Sequence, residues 1–123
     1  MSAGADRSAL HMAGAFIGMG GWAAWANAAQ PMPAPLLAGI VQGTLSATIT
    51  LGLRRMVEAV VARRPGRSGL LLPPALACGM SVALLGTAHR LAGTPEVLLT
   101  LAVPTTVATL YAGAYAWRLR LHG

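Results

Sequence analysis

Charge is scarce in this chain. Asp, Glu, Lys and Arg make up only 10% of its 123 residues while 55% are hydrophobic; a soluble domain carries about 25% charged residues. That is a membrane composition. The acidic residues are Asp6, Glu58 and Glu96, and none lies deep in an apolar run. A proton-driven exporter of the small multidrug type needs a carboxylate inside a span, so that class is disfavoured. Lysine is absent, and all nine basic residues are arginine, for a net charge of +6. Those arginines lack the clustered aromatic platforms of a nucleic-acid surface, so nucleic acid is not an expected partner and anionic lipid headgroups are the expected counter-charge. Cys78 is the lone cysteine; it cannot form an internal disulfide and reads as a small core residue. No H-x-x-x-H, H-E-x-x-H or C-x-x-C spacing occurs. A metal-dependent hydroxylase or protease is therefore disfavoured, and neither metal nor cofactor is expected.

What the chain has in quantity is uncharged length. Four uncharged runs, 9–29, 36–53, 69–88 and 97–117, mark spans at about 9–29, 36–55, 69–90 and 95–117, each close to the roughly 20 residues that cross the hydrocarbon of a bilayer as a helix. The expected fold is all-α: one domain over 1–123 with four transmembrane helices and short connectors, the second helix extending past the membrane to about 64. The stretch "VQGTLSATIT" alternates polar and apolar residues like a strand, but its 20-residue neighbours are far too long for barrel strands of about 10 residues. As a helix it groups Gln42, Ser46 and Thr50 on one face and Thr44 with Thr48 on another, both expected to meet other helices. Small residues at four-residue spacing recur at Gly39 and Gly43, Gly14 and Gly18, Ala75, Gly79 and Ala83, and Ala108, Ala112 and Ala116. Such rows let helix backbones approach closely.

Eight of the nine arginines fall on one side of this arrangement, with Arg90 alone on the other. The positive-inside rule then places both termini and the middle loop in the cytoplasm. The connectors agree. "QPMPAPLL" has Pro35 suited to a first helical turn, "RRPGRSG" is a turn, and "GTPEVLL" offers Thr94 as N-cap, Pro95 as first helical residue and Glu96 near the positive helix end. Arg7, an apolar run and "ANA" at 26–28 imitate a cleavable signal. The run is longer than such signals, and Trp22 with Trp25 resembles an interfacial belt, so a retained first span is expected; cleavage would leave three.

Few residues invite chemistry. Glu58, one turn beyond Arg54 and Arg55, reads as an exposed ion pair, and His89 as a helix-end residue that, beside Arg90, could alternatively hold a phosphate. Pro104 is expected to kink the fourth helix, with Thr105 or Thr106 compensating the freed carbonyl of Thr100. Pro73 and Pro74 either start the third helix or kink it. Trp117 and Tyr115 read as belt residues, and Tyr111 as a partner for the polar face of the second span or a substrate contact. The candidates for helix packing or for lining a path are thus Gly39, Gln42, Gly43, Ser46, Thr48, Thr50, Pro104 and Tyr111. Arg54, Arg55, Arg63, Arg64 and Arg67 form a surface for anionic lipid or a partner. Helix-contact devices outnumber catalytic groups, which points to a non-catalytic accessory or assembly component that packs with itself or a membrane partner. A small oligomeric transporter or lipid-translocating protein is the alternative.

"WAAWAN" closing the first span, "VQG" in the second and "LAGTPEVLLT" leading to a proline in the fourth resemble a group of small, uncharacterised four-span bacterial inner-membrane proteins. The resemblance implies a multi-pass protein of the bacterial inner membrane and carries no activity, ligand or catalytic residue with it.

Overall fold

The computed structural model describes residues 3–122, with the side chains of Arg7 and of 9–122. Four helices follow one another in an up-down-up-down chain: α1 (Ala3–Ala26), α2 (Ala34–Arg63), α3 (Arg67–Leu91) and α4 (Val97–His122). No strand occurs among the described residues. α2, α3 and α4 are each long and apolar enough to cross a membrane. The helices run longer than the apolar stretches at the arginine-rich end, where α2 continues to Arg63 and α4 to His122.

Local chemistry sets the ends. Pro35 lies in the first turn of α2, where its missing N–H costs no bond. α2 stops before Pro65, and Gly66 supplies the positive φ of 67° that lets α3 begin one residue later. α3 runs through Pro73 and Pro74 rather than starting at them, and α4 likewise continues through Pro104. The end of α3 is a Schellman motif: Gly93 has φ 74°, its N–H bonds to the Arg90 carbonyl, and the Thr94 N–H bonds to the His89 carbonyl. Thr94 is consequently part of the α3 terminus and does not cap α4, which begins at Val97.

α1 packs on α2 and α3 on α4, α2 joins the two hairpins, and among the described residues α1 meets α4 only slightly and α3 not at all. The interior is made of small and polar residues. α3 buries every fourth residue, Gly69, Pro73, Ala77, Ser81, Leu85 and His89, and α4 buries Pro104, Ala108, Ala112 and Ala116 in the same rhythm. Rows of this period bring helices into close contact. Large apolar side chains face outward instead: Ile17 is 73% exposed, Leu110 67% and Leu98 88%. A soluble domain reverses that distribution, and a rind of Leu, Ile and Val over a small-residue core is what hydrocarbon around the protein favours.

The α1–α2 contact rests on glycine, though not on the expected set in α1. A Cβ on Gly20 would stand 2.8 Å from the Gly39 carbonyl oxygen, and one on Gly43 would stand 3.0 Å from Phe16. Gly14 and Gly18 have nothing within 4 Å. In α3 the row Ala75, Gly79 and Ala83 is exposed as well, because the helix is turned so that the row beginning at Pro73 faces inward. Two of the four small-residue rows therefore lie on the outside of the protomer.

Candidate functional site

The two ends of the bundle differ. At the end carrying the α1–α2 and α3–α4 connectors, polar side chains are fully buried and bonded to one another. Gln42, buried in α2, donates from Nε2 to Ser46 Oγ at 2.7 Å, and its Oε1 accepts from His89 Nε2 at 2.8 Å. That amide orientation assigns the ring proton to Nε2, so Nδ1 accepts from the Thr94 hydroxyl at 2.8 Å. The Schellman turn is what brings Thr94 back over His89. Beside this chain, Asn27 closes a second group: Nδ2 donates to Ala23 O and to Thr100 Oγ1, each at 2.8 Å, and Oδ1 accepts from the Glu96 N–H at 2.9 Å. Asn27 thus caps α4 from another part of the chain, satisfying a donor that α4 leaves open at its first turn. Thr100 also donates to the Glu96 carbonyl. The Trp22 indole adds a bond to Leu99 O at 3.1 Å, so α1 and α4 are tied together at this end.

At the opposite end the three helices α2, α3 and α4 share a compact core of Val57, Ala77, Ala112 and Ala116, but α1 stands away from α4. Arg120 closes the α2–α3 turn, with Nη2 donating to Arg64 O at 2.9 Å and Nη1 to Gly66 O at 3.2 Å. Gly69 leaves room for that guanidinium, since a Cβ there would collide with it. Past the apolar part of α2, Glu58 accepts from the Tyr115 hydroxyl at 2.7 Å and from Arg54 Nε at 3.0 Å. These two donors, the tyrosine foremost, hold its carboxyl below the usual carboxylate range.

Near mid-height of the bundle, between α1 and α4 and reached from α3 by Ser81 and Leu85, lies an apolar cavity of about 170 Å³. Ala15 and Met19 wall it from α1, Ser46 and Thr50 from α2, and Pro104 and Val107 from α4. Thr50 and Tyr111 also belong to a second, polar compartment of about 300 Å³, completed by His11, Arg54, Arg55 and Glu58. The two adjoin at those shared residues, and together they form a crevice reaching from the arginine level toward the apolar middle.

Of the residues singled out from the sequence, Gly39 and Gly43 lie in the α1–α2 contact, and Gln42 and Ser46 in the buried polar chain. Thr50 and Pro104 line the cavity, and Arg54 and Arg55 line the polar compartment. Arg63, Arg64 and Arg67 are exposed around the turn. Several expectations are corrected. Thr44 and Thr48 are exposed rather than set against a helix, with the Thr48 hydroxyl turned back onto the Thr44 carbonyl. His89 is 0% exposed, which removes both the plain helix-end role and the surface phosphate. The Tyr111 hydroxyl finds no hydrogen-bond partner among the described residues; its ring stacks on Tyr115 with centroids 5.6 Å apart. Tyr115 is the tyrosine that reaches α2, so it is more than a belt residue. Near Pro104, the Thr106 hydroxyl goes to Ala102 O and Thr105 Oγ1 is buried without a partner; neither serves Thr100. Asn27 and Arg120 were missed as structural residues, and Thr94 was assigned to the wrong helix end. Gly93, two residues beyond Leu91 at the end of its helix, was the available signal for the turn that buries Thr94. Among the described residues no group of three or more His, Cys, Asp or Glu converges on a point that could hold a metal. The chain matches no family model, no curated protein and no solved structure.

Proposed function

We propose that this chain is a four-span inner-membrane protein of a bacterium with both termini in the cytoplasm, and that it acts without covalent chemistry as an accessory or assembly component, packing with itself or with another membrane protein. Support for the topology comes from the arginines, eight of nine of which gather at one end of the four helices. For the accessory role the carrying observation is the pair of small-residue rows that the protomer itself leaves uncovered, Gly14 with Gly18 on α1 and Ala75, Gly79 and Ala83 on α3. In the bilayer, where apolar area gives helices no reason to associate, such rows are the surfaces on which a further helix packs. The carboxylate at the crevice, Glu58, is already engaged by Tyr115 and Arg54.

Native mass measurement of the intact protein in several mild detergents tests this. A self-oligomer or a stoichiometric membrane partner is expected, and Gly79→Leu is expected to disperse it without unfolding the protomer, because nothing stands within 4 Å of a Cβ at Gly79. A monomer under every condition would contradict the accessory role. The transporter alternative draws on the crevice alone: Thr50, Tyr111 and Pro104 line it, whereas Gln42 is sealed at the other end and Thr48 faces outward, so neither belongs to such a path.

A further inference from the structure

From the crevice between α1, α2 and α4 we infer a binding site for one anionic phospholipid, its phosphate in the polar compartment and the upper part of one acyl chain in the apolar cavity. The inference rests on the reading of the helices as membrane spans and gives that reading a specific ligand.

Depth is the first support. From Leu36 to Arg55, α2 rises about 29 Å, close to the roughly 30 Å of bilayer hydrocarbon. Arg54 and Arg55 thus stand at headgroup level when the start of α2 stands at the opposite surface. Ser46 to Leu53, the part of α2 that lines the cavity, lies within the following 13 Å or so of acyl chain. Charge is the second. The compartment holds Arg54, Arg55 and Glu58, and the carboxylate is matched to Arg54 through Nε at 3.0 Å. Arg55 has no ion pair among the described residues, and the terminal nitrogens of Arg54 make no hydrogen bond there. One positive charge and several directed N–H donors are therefore left for a phosphate, with the His11 imidazole on the facing wall. Size is the third. A cavity of about 170 Å³ resembles those of about 150 Å³ that take a six-carbon ring, so it accepts a segment of one chain and excludes the pair. At the seam between the two compartments stands Tyr111, whose unpartnered hydroxyl is placed at the level of the lipid's ester groups.

The test uses the full-length protein in nanodiscs and phosphatidylglycerol carrying a photoactivatable diazirine on the upper part of one chain, with the matching phosphatidylcholine as control. Peptide mapping after illumination is expected to find the phosphatidylglycerol label concentrated at Met19, Val107 and Tyr111. Unlabelled phosphatidylglycerol should displace it and phosphatidylcholine should not. Arg55→Gln is expected to reduce labelling about fivefold, the usual worth of one basic side chain against anionic lipid, and Ala15→Phe to abolish it by filling the cavity. Should Ala15→Phe fail to fold, the map on the unaltered protein decides alone. Label spread over outward residues such as Ile17, Leu98 and Leu110 in proportion to their exposure, or equal labelling by the two lipids, would overturn the site. So would an empty slot in a preparation whose mass is that of a dimer, since a second copy would then be its occupant. Reporter fusions separate this failure from the other: alternating reporters with diffuse label sink the lipid site only, while concentrated label with reporters on the wrong sides sinks the orientation only.

Discussion

The connector end and the arginine-rich end of this bundle solve opposite problems with the same helices. At the connector end, Gln42, His89, Thr94, Asn27 and Thr100 are buried and exchange hydrogen bonds in pairs, so α1 is fastened to α4. At the other end the polar groups are long, exposed arginines, no side-chain bond joins α1 to α4 among the described residues, and a crevice opens between them. In a low-dielectric surround a polar group either finds a partner or is costly, so directed hydrogen bonds close the bundle where small polar residues are available. Where arginine replaces them, the charged heads reach for solvent and headgroups, and the helices part.

Substitutions at the connector end should therefore have the largest effects. His89→Leu strands the Oε1 of Gln42 and the hydroxyl of Thr94 together; a loss of about 2–3 kcal/mol is expected, read as earlier thermal unfolding in detergent. If His89→Leu unfolds with the unaltered protein, the network contributes nothing net. Next comes the α1–α2 contact. Gly20→Ala drives a methyl group into the Gly39 carbonyl and should destabilise by about 1–2 kcal/mol, whereas Gly18→Ala meets open space and should be neutral or slightly stabilising. Equal effects at the two positions would mean that α1 is rotated from the orientation described. At the arginine-rich end, Arg120→Gln removes the clamp on the α2–α3 turn and should cost about 1 kcal/mol. It should also speed proteolysis between Arg63 and Arg67 more than elsewhere.

Glu58 marks the lower limit. Its carboxyl is held below the usual range in the folded protein, so its contribution is present at neutral pH, above the unfolded value, and is lost as pH falls through the lowered folded value. The side chain is 43% exposed, which keeps that contribution to a few tenths of a kcal/mol. Unfolding curves of Glu58→Gln and the unaltered protein should run slightly apart at neutral pH and merge in acid. A gap that widened in acid would reverse the sign and remove the Tyr115 and Arg54 bonds from the account.

Much of the fold was legible because hydrophobic length and arginine position are one-dimensional signals. The helix boundaries of α2 and α3 lie within about two residues of the apolar runs and the Pro65–Gly66 break. Rotation about the helix axis was not legible. Ala75, Gly79 and Ala83 make as good a small-residue row as Gly69, Pro73 and Ala77, and only packing selects the second. The same limit put Thr44 and Thr48 on a contact face and overlooked Gly20. Side-chain networks were hardest to foresee: His89 reads as a helix end until the turn at Gly93 folds Thr94 onto it, and Asn27 reads as connector until α4 places an open N–H against it. The crevice depends on α1 diverging from α4, a relation between elements far apart in the chain.

Reporter fusions after residues 30, 66, 93 and 123 decide whether the sealed end faces the periplasm and the open, arginine-lined end the cytoplasm. Periplasmic, cytoplasmic, periplasmic and cytoplasmic signals are expected in that order. Two neighbouring fusions on the same side would contradict it.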